Sequence, residues 1–455
     1  MIPTMQKLSI VSLGCARNLV DSEVMAGLLT QNHYELVLEP AEADVVLVNT
    51  CGFIDAAKAE SIDTILEIGR LKEQGKLRKL VVAGCLSQRY PEELARELPE
   101  VDLFIGTGEV PRIAEILREH EGDSSQRQYV GIPRYLYDHA TPRLRTTPSH
   151  TAFLKISEGC HHQCAFCIIP TLRGPHRSRP LDSVVTEARL LAAGGVKEIN
   201  LIAQDLTAYG RERKDGTTLY HLLRELVQIP EIVWVRLLYA YPNYLDDGLL
   251  RLISENEKIC KYIDMPFQHI NRRILRSMRR GKSGTAVREA IQKLRQTIPG
   301  LTLRTSLIVG FPGETEQEFQ ELLDFVEATR FERLGVFKYS DEEGTAAALL
   351  KDKIPAEEIE RRWQEVMDLQ ATISLKNNEA LIGTIERVMI EGVDPDSGKL
   401  AGRTQAHAPE VDGVVYLEGA RSSSKTQLRP GHMIDVKITG AQDYDLLSER
   451  LDAQN

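Results

Sequence analysis

Short apolar runs alternate with helical stretches over the first 118 residues and predict a parallel α/β sheet in residues 7–118. The strands are predicted at 7–13, 44–49, 79–83 and 102–105, and each is followed by a glycine-containing loop and then by a helix. Strands that alternate with helices at this spacing are typical of a doubly wound sheet. The polar, proline-containing residues 119–148 lack a clear period, so we interpret them as a linker with one short hairpin.

A second alternation of apolar strands and helices occupies residues 149–380. Six apolar runs predict the strands of a partial or full α/β barrel: 152–156, 198–202, 232–238, 262–265, 302–309 and 334–338. A charged helix at 355–380 leads into the last region, 381–449, where short alternating strands are separated by glycines: 384–390, 412–417 and 433–438. This last pattern predicts a small antiparallel barrel.

Composition and charge narrow the class of protein. The chain has 455 residues, of which 42% are hydrophobic and 27% charged, and this excludes wholesale disorder. No apolar run approaches the roughly 18–20 residues that span a bilayer, and the N-terminus lacks the features of a signal peptide, so we expect a cytoplasmic protein without a membrane segment. The 56 basic and 66 acidic residues give a net charge of −10, which argues against bulk binding of nucleic acid.

Three of the seven cysteines, Cys160, Cys164 and Cys167, form a CxxxCxxC motif directly after the first predicted barrel strand. Barrels of this kind place their chemistry at the C-terminal ends of the strands. An iron–sulfur cluster normally takes four cysteines, so three would leave an open position at which a substrate could bind. A zinc site completed by His161 or His162 is one alternative, and three unrelated buried thiols are the other.

Three further cysteines, Cys15, Cys51 and Cys85, each follow a predicted strand of the N-terminal sheet. Parallel strands bring their carboxyl ends to one edge, where open α/β sheets bind their ligands, so we expect these thiols to converge. The alternative is that they are half-buried thiols in separate loops. We interpret the seventh cysteine, Cys260, as a buried structural thiol.

Other residues at the predicted barrel rim are candidates for binding a ligand. Gln204 and Asp205 end one strand, where they are placed to meet a cofactor or a substrate. Arg304 could pair with the carboxylate of a ligand, while Gly310 and Gly313 would let the backbone approach that ligand closely. A basic run follows at 271–280, and it is either a solvated helix face or a contact for an anionic partner.

The CxxxCxxC motif after the first barrel strand resembles that of the radical S-adenosylmethionine superfamily. The resemblance implies a [4Fe-4S] cluster on Cys160, Cys164 and Cys167, with S-adenosylmethionine bound to the open iron. It also implies reductive cleavage of that cofactor to a 5′-deoxyadenosyl radical, and it places Phe166, just before the last cysteine, near the adenine.

A flavodoxin-like domain with three cysteines, followed by this core and by a TRAM-like barrel, resembles the methylthiotransferases over essentially the whole chain. That family implies a second [4Fe-4S] cluster on Cys15, Cys51 and Cys85, which carries the sulfur that is inserted. The resemblance further implies that one S-adenosylmethionine methylates this sulfur and that a second one supplies the radical.

Methylthiotransferases modify either an adenosine of tRNA or an aspartate of a ribosomal protein, and the charge of the C-terminal region helps to choose between them. Residues 376–455 contain 9 basic and 13 acidic residues, a net charge of −4. A barrel that grips tRNA should be basic, whereas an acidic one suits a basic protein client. Three segments, 160–163, 266–269 and 403–413, are also similar to the ribosomal-protein branch.

That branch implies methylthio transfer to the β-carbon of an aspartate in the twelfth protein of the small ribosomal subunit. It also implies an electron donor such as flavodoxin and a separate sulfur donor, and we expect the chain to act as a monomer. The alternatives are a tRNA adenosine methylthiotransferase and, more distantly, a non-catalytic zinc-binding RNA adaptor built on the terminal barrel.

Overall fold

The N-terminal region is a six-stranded parallel sheet covered by helices on both faces. The computed structural model describes residues 5–122, 125–281, 283–418 and 428–451. The strands of this sheet are β1 (Gln6–Ser12), β2 (Tyr34–Leu36), β3 (Val45–Thr50), β4 (Lys79–Gly84), β5 (Leu103–Ile105) and β6 (Gln128–Tyr129). They lie in the order β2-β1-β3-β4-β5-β6, which is the order of flavodoxin-like sheets with one strand added. The predicted fold class of this region is confirmed.

Alternate residues of the central strands face two separate hydrophobic cores. The helices of this region are α1 (Ala16–Thr30), α2 (Asp55–Glu73), α3 (Cys85–Arg89), α4 (Pro91–Glu97) and α5 (Ile113–Gly122). In β3, Leu47 packs in the core that contains Val24 of α1, while Val46 packs in the core that contains Ile65 of α2. A strand buried on both faces needs a continuous apolar run, which β3 supplies.

The hairpin expected within 119–148 is not formed in the described residues. The strand in that segment, β6, pairs in parallel with β5 and so extends the N-terminal sheet. Its two residues are too short to show a period in the sequence, whereas the neighbouring β5 provides an unpaired edge that they can join.

The central region is a second parallel sheet of six strands, open between its two edge strands. The strands of the central region, six in this sheet and two outside it, are β7 (Thr151–Lys155), β8 (Ser157–Glu158), β9 (Arg177–Ser178), β10 (Glu198–Ile202), β11 (Trp234–Leu237), β12 (Ile259–Asp264), β13 (Thr302–Val309) and β14 (Arg333–Lys338). β8 and β9 form a separate two-stranded ribbon, and the others lie in the order β14-β13-β12-β11-β10-β7. Because β7 and β14 are edges, the region is a partial barrel, one of the two predicted forms.

Eight α-helices lie in the described part of this region. They are α6 (Ile169–Arg173), α7 (Leu181–Ala193), α8 (Leu219–Leu226), α9 (Asp247–Glu255), α10 (Arg272–Ser277), α11 (Gly284–Thr297), α12 (Glu316–Thr329) and α13 (Ala356–Glu379). Helix α12 begins with a capping box, in which the Thr315 hydroxyl and the Glu318 carboxylate bind each other's backbone N–H groups. None of the helices in the described part of the chain is long and apolar enough to cross a membrane.

The C-terminal region is a closed five-stranded barrel. Its strands are β15 (Ile385–Val393), β16 (Leu400–Arg403), β17 (Val415–Glu418), β18 (Met433–Ala441) and β19 (Leu446–Arg450). They close in the order β15-β16-β17-β19-β18, and all pairs are antiparallel except β17 with β19. The sequence pattern missed β16 and β19. Arg421, Lys425 and Asp452, which are included in the net charge of −4 counted for residues 376–455, lie outside the described residues.

A buried ionic contact attaches this barrel to the central sheet. Glu198 of β10 is fully buried and accepts hydrogen bonds from Arg236 (2.9 Å) and from Arg403 of β16 (2.5 Å). Burial alone would raise the pKa of Glu198, but the guanidinium groups of Arg403 and Arg236 lower it to about 2. The carboxylate is therefore charged, and it fixes the barrel against β10 and β11.

The two α/β regions are joined by a cluster of buried charges that we call the interdomain charge network: Asp21, Lys155, Glu158 and Arg173. Asp21 of α1 accepts hydrogen bonds from both Lys155 and Arg173, which belong to the central region. Lys155 also binds Glu158 at 2.8 Å. Buried charges are tolerated only when they are paired. This network therefore holds the N-terminal sheet in one position on the central sheet.

Candidate active site

The sheet brings Cys15, Cys51 and Cys85 to the same edge, as predicted from the sequence. Cys15 caps α1 just after β1, Cys51 follows β3, and Cys85 begins α3 at the end of β4. The absence of a side chain at Gly14 permits this approach, since a Cβ there would lie 2.8 Å from Cys51 Cβ. Gly84 lies at a φ of +100° and turns the chain directly into Cys85.

Two arginines surround these N-terminal thiols. Arg173 donates a hydrogen bond from Nη2 to Cys85 Sγ at 3.4 Å. Burial acts to raise the pKa of the Cys15 thiol, but the guanidinium groups of Arg17 and Arg173 outweigh it and the pKa is lowered. Burial raises the pKa of Cys51 to about 11. The arginines thus favour the anionic form of Cys15, which is the form of cysteine that binds metals, whereas burial outweighs Arg173 at Cys85 and raises its pKa.

Cys160, Cys164 and Cys167 lie in the loop between β8 and α6. Burial raises the pKa of Cys160 to about 11 and that of Cys167 to about 12. Two donors point at sulfur here, since Arg280 Nη1 lies 3.5 Å from Cys164 Sγ and the His162 backbone N–H donates to Cys160 Sγ at 3.4 Å. These surroundings fit a bound cluster. The iron would balance the charge of the three thiolates, and the two donors would hydrogen-bond to their sulfurs.

His162 is held in a stack beside this loop. Its Nε2 lies 2.7 Å from Asp205 Oδ2, and its ring stacks on Tyr241 at a centroid distance of 3.9 Å. The Arg280 guanidinium lies over Tyr241, 4.4 Å from the ring centroid. Asp205 is buried and also accepts a hydrogen bond from the Thr207 hydroxyl at 2.6 Å. Asp205 thus positions His162 instead of facing the main cavity.

The structure does not assemble the zinc site considered as an alternative. His161 lies against His176, with ring centroids 6.0 Å apart, and His162 is engaged by Asp205. Across the described ranges, no three His, Cys, Asp or Glu side chains are arranged to hold one metal ion. A cluster makes a different demand, because each thiolate binds a separate iron.

A cavity of about 290 Å³ lies beside the CxxxCxxC loop and is lined from both α/β regions. Cys160, Cys164 and Cys167 line one side, whereas the N-terminal region contributes three residues that closely follow Cys15 or Cys51: Arg17 of α1, Phe53 and Ile54. Two other lining residues, Tyr239 and Gln268, follow β11 and β12 with positive φ angles of 69° and 72°. Such strain in residues other than glycine clusters at functional sites.

The other residues proposed from the sequence fall into two groups. Phe166, Gln204 and Arg304 line the cavity. Gly310 and Gly313 do not line it. A Cβ on Gly310 would lie 2.4 Å from Ile359 of α13, and both glycines have positive φ, so the turn and its packing account for them without a ligand.

Sequence reasoning missed several residues that shape the site: Arg17, Arg173, Tyr239, Tyr241 and Arg280. Each of them contacts a residue that is distant in the chain. Only Arg280 lies in a segment that the sequence marks as a candidate, the basic run 271–280. Arg17 carries a weak local signal, since it follows Cys15 by two residues at the start of a helix. Cys260 is fully buried in the core, as predicted.

Three parts of the chain match known families. Residues 7–106 match the uncharacterized protein family UPF0004, residues 154–326 the radical SAM superfamily, and residues 382–451 the TRAM domain. Membership of the radical SAM superfamily implies an iron–sulfur cluster and S-adenosylmethionine.

Similarity to curated proteins extends over nearly the whole chain. It is 52% identical to the ribosomal protein uS12 methylthiotransferase RimO of Pelobacter propionicus and 50% identical to that of Geobacter sulfurreducens, and each comparison covers 98% of both chains. The RimO of Myxococcus xanthus is 49% identical, over 98% of this chain and 92% of its own. The chain belongs to the RimO family. As a RimO family member, it is a radical SAM transferase.

Solved structures share the fold at much lower identity. The radical S-adenosylmethionine methyltransferase TsrM of Kitasatospora setae, solved with cobalamin and a [4Fe-4S] cluster, has a TM-score of 0.55 at 15% identity. That match covers 74% of this chain and 72% of TsrM. The cobalamin-dependent enzyme OxsB, with a TM-score of 0.50 at 13% identity, covers 81% of this chain and 58% of OxsB. Both show only that the RimO family chain has the fold of radical SAM enzymes.

Proposed function

We propose that this chain transfers a methylthio group to the β-carbon of an aspartate in ribosomal protein uS12. The observation that carries the proposal is the cavity lined both by the CxxxCxxC loop and by residues that closely follow Cys15 and Cys51. A reaction that needs two cysteine-bound centres requires both to face one substrate. The relatives named as uS12 methylthiotransferases, aligned over 98% of this chain, support the same choice.

Cys160, Cys164 and Cys167 would hold one [4Fe-4S] cluster together with S-adenosylmethionine, and Cys15, Cys51 and Cys85 would hold a second. When bound, these groups supply a 5′-deoxyadenosyl radical that removes a hydrogen atom from the substrate, and the sulfur that replaces it. Cofactors of this kind carry the difficult chemistry, while the protein binds, orients and excludes water.

The chain's own side chains prepare this cavity. Gln204 and Phe166 line the side of the CxxxCxxC loop, where they would contact S-adenosylmethionine. Gln204 Nε2 donates to Glu158 in the interdomain charge network, but its buried Oε1 has no hydrogen-bond partner in the described structure and is free to accept one from a ligand. The Tyr241 ring contacts both the His162 ring and the Arg280 guanidinium beside this loop.

We further propose that the enzyme works as a monomer in the cytoplasm, with an electron donor such as flavodoxin and a separate sulfur donor. The negative charge of residues 376–455 supports a basic protein as the client, because complementary charge favours encounter. The domain limits that we propose are 7–118, 119–148 as the linker, 149–380 and 381–449.

Iron analysis and mass spectrometry test the proposal. Anaerobic reconstitution should give about eight irons per chain, four for each cluster. Replacing either group of three cysteines by alanine should remove about half of the iron, while Cys260→Ala serves as the matched control and should retain all of it. The reconstituted enzyme should add a methylthio group to an aspartate-containing peptide of uS12. Modification of tRNA instead, or about four irons per chain, would contradict the proposal.

A further inference from the structure

Four cationic side chains line the cavity: Arg17, Arg280, Arg304 and Lys338. Two of them already pair with carboxylates of the chain. Arg304 Nη1 lies 3.0 Å from Asp264, and Lys338 pairs with Glu360. The charges of these two cations are therefore largely compensated within the protein.

The third cation, Arg280, is occupied by the CxxxCxxC side of the cavity. Its guanidinium donates to the Pro266 carbonyl and to Cys164 Sγ, and it stacks over Tyr241. This geometry directs Arg280 to the cysteine loop. On the opposite wall, near the N-terminal sheet, the cationic side chain is the fourth one, Arg17.

Arg17 spans the junction between the two α/β regions. It follows Cys15 by two residues, its Nη1 donates to the Ala203 carbonyl at 2.7 Å, and its guanidinium lies 4.6 Å from the Tyr239 ring centroid. Within the described ranges, no Asp or Glu oxygen lies within 4.0 Å of its nitrogens. An arginine carries five N–H donors in a planar fork that fits a carboxylate in two-point contact. Arg17 therefore presents N–H donors to the cavity with no carboxylate within salt-bridge distance, while it also lies beside the Cys15 thiol, whose anionic form it favours.

The substrate expected here supplies the matching group. In an aspartate the β-carbon is bonded directly to the side-chain carboxylate, so a residue that binds this carboxylate also places the reacting carbon. We propose that the Arg17 guanidinium binds the side-chain carboxylate of the substrate aspartate and holds its β-carbon between the CxxxCxxC loop and the wall formed by Arg17, Phe53 and Ile54. This inference rests on the proposed function and assigns the residue that selects aspartate.

Peptide binding tests the assignment separately from turnover. Two synthetic peptides from uS12, identical except for aspartate or asparagine at the modified position, are titrated into the anaerobically reconstituted full-length enzyme by fluorescence anisotropy. The wild type should bind the aspartate peptide about tenfold more tightly, the scale of a hydrogen bond to a charged group. Arg17→Gln should abolish this preference, Arg17→Lys should keep part of it, and Lys338→Gln, the matched control in the same cavity, should keep all of it.

Because Arg17 also lies beside Cys15 and donates to the Ala203 carbonyl, iron content and Tm are measured in parallel, and the peptide preference is compared between folded preparations of equal iron content. A tenfold preference for aspartate that survives in Arg17→Gln would overturn the assignment and leave the proposed function intact. Equal binding of both peptides by a wild type that still modifies uS12 would overturn it as well. If the wild type modifies no uS12 peptide, the proposed function fails first, and the role of Arg17 fails with it.

Discussion

Replacing Glu198 by glutamine should destabilise the contact between the C-terminal barrel and the central sheet. The two arginines lower the pKa of this buried carboxylate from its ordinary value of 4.5 to about 2. At about 1.4 kcal/mol for each tenfold change in proton affinity, the charged form contributes about 3 kcal/mol to folding near neutral pH. Glu198→Gln also leaves Arg236 without its carboxylate partner, so we expect a loss of about 3 kcal/mol or more.

Urea unfolding of the metal-free full chain, followed by the fluorescence of Trp234 and Trp363, measures this loss without interference from cluster release. Because the folded pKa is depressed, the contribution is complete above pH 4.5 and is lost as the pH falls towards 2. The difference between wild type and variant should shrink over that range. Glu97→Gln, which breaks an exposed pair with Arg96, should leave the midpoint unchanged. A difference below about 1 kcal/mol at pH 7, or one that is independent of pH, would refute the reasoning.

Glu342→Gln should loosen the loop after β14 from the N-terminal sheet, because Glu342 is buried between Lys58 of α2 and Arg89 of α3. Limited proteolysis should therefore cut the variant faster than the wild type, and equal rates would contradict this. Gly84→Ala should lower the Tm, since a Cβ there would lie 2.4 Å from Asn49 Oδ1, whereas Gly75→Ala, also at positive φ but with open space around it, should cost less. Cys260 should resist alkylation at pH values well below its raised pKa of about 11, and rapid labelling of the folded protein near neutral pH would show that it is not buried.

The convergence of Cys15, Cys51 and Cys85 can be predicted from the sequence because it depends on one regularity. Each thiol follows an apolar strand by one to three residues, and the strands of a doubly wound sheet all end at the same edge. The CxxxCxxC loop is visible for a similar reason, since its spacing is local. The fold class and the convergence of the N-terminal cysteines therefore follow from the periodicity of the sequence, and the CxxxCxxC loop follows from the spacing of its cysteines.

The remaining parts of the site depend on contacts that no local pattern encodes. Lys155 lies in an apolar strand, and its charge is balanced by Asp21, which is 134 residues away in the chain. The positive φ of Tyr239 is imposed by its surroundings, and nothing in its residue type announces it. The need for glycine at position 310 has a structural cause that the sequence does not show, because a Cβ there would lie 2.4 Å from Ile359.

The interdomain charge network also limits how this protein can be divided or recombined. Without the N-terminal sheet, Lys155 and Arg173 would lose Asp21 and would have to share Glu158. A chimera that exchanges N-terminal domains between relatives must therefore transfer a compatible set of these four residues, whatever the length of its linker. The chain contains segments that match three separate families, but the first two α/β regions share this network. Substitutions among its four residues should therefore occur together in the two regions.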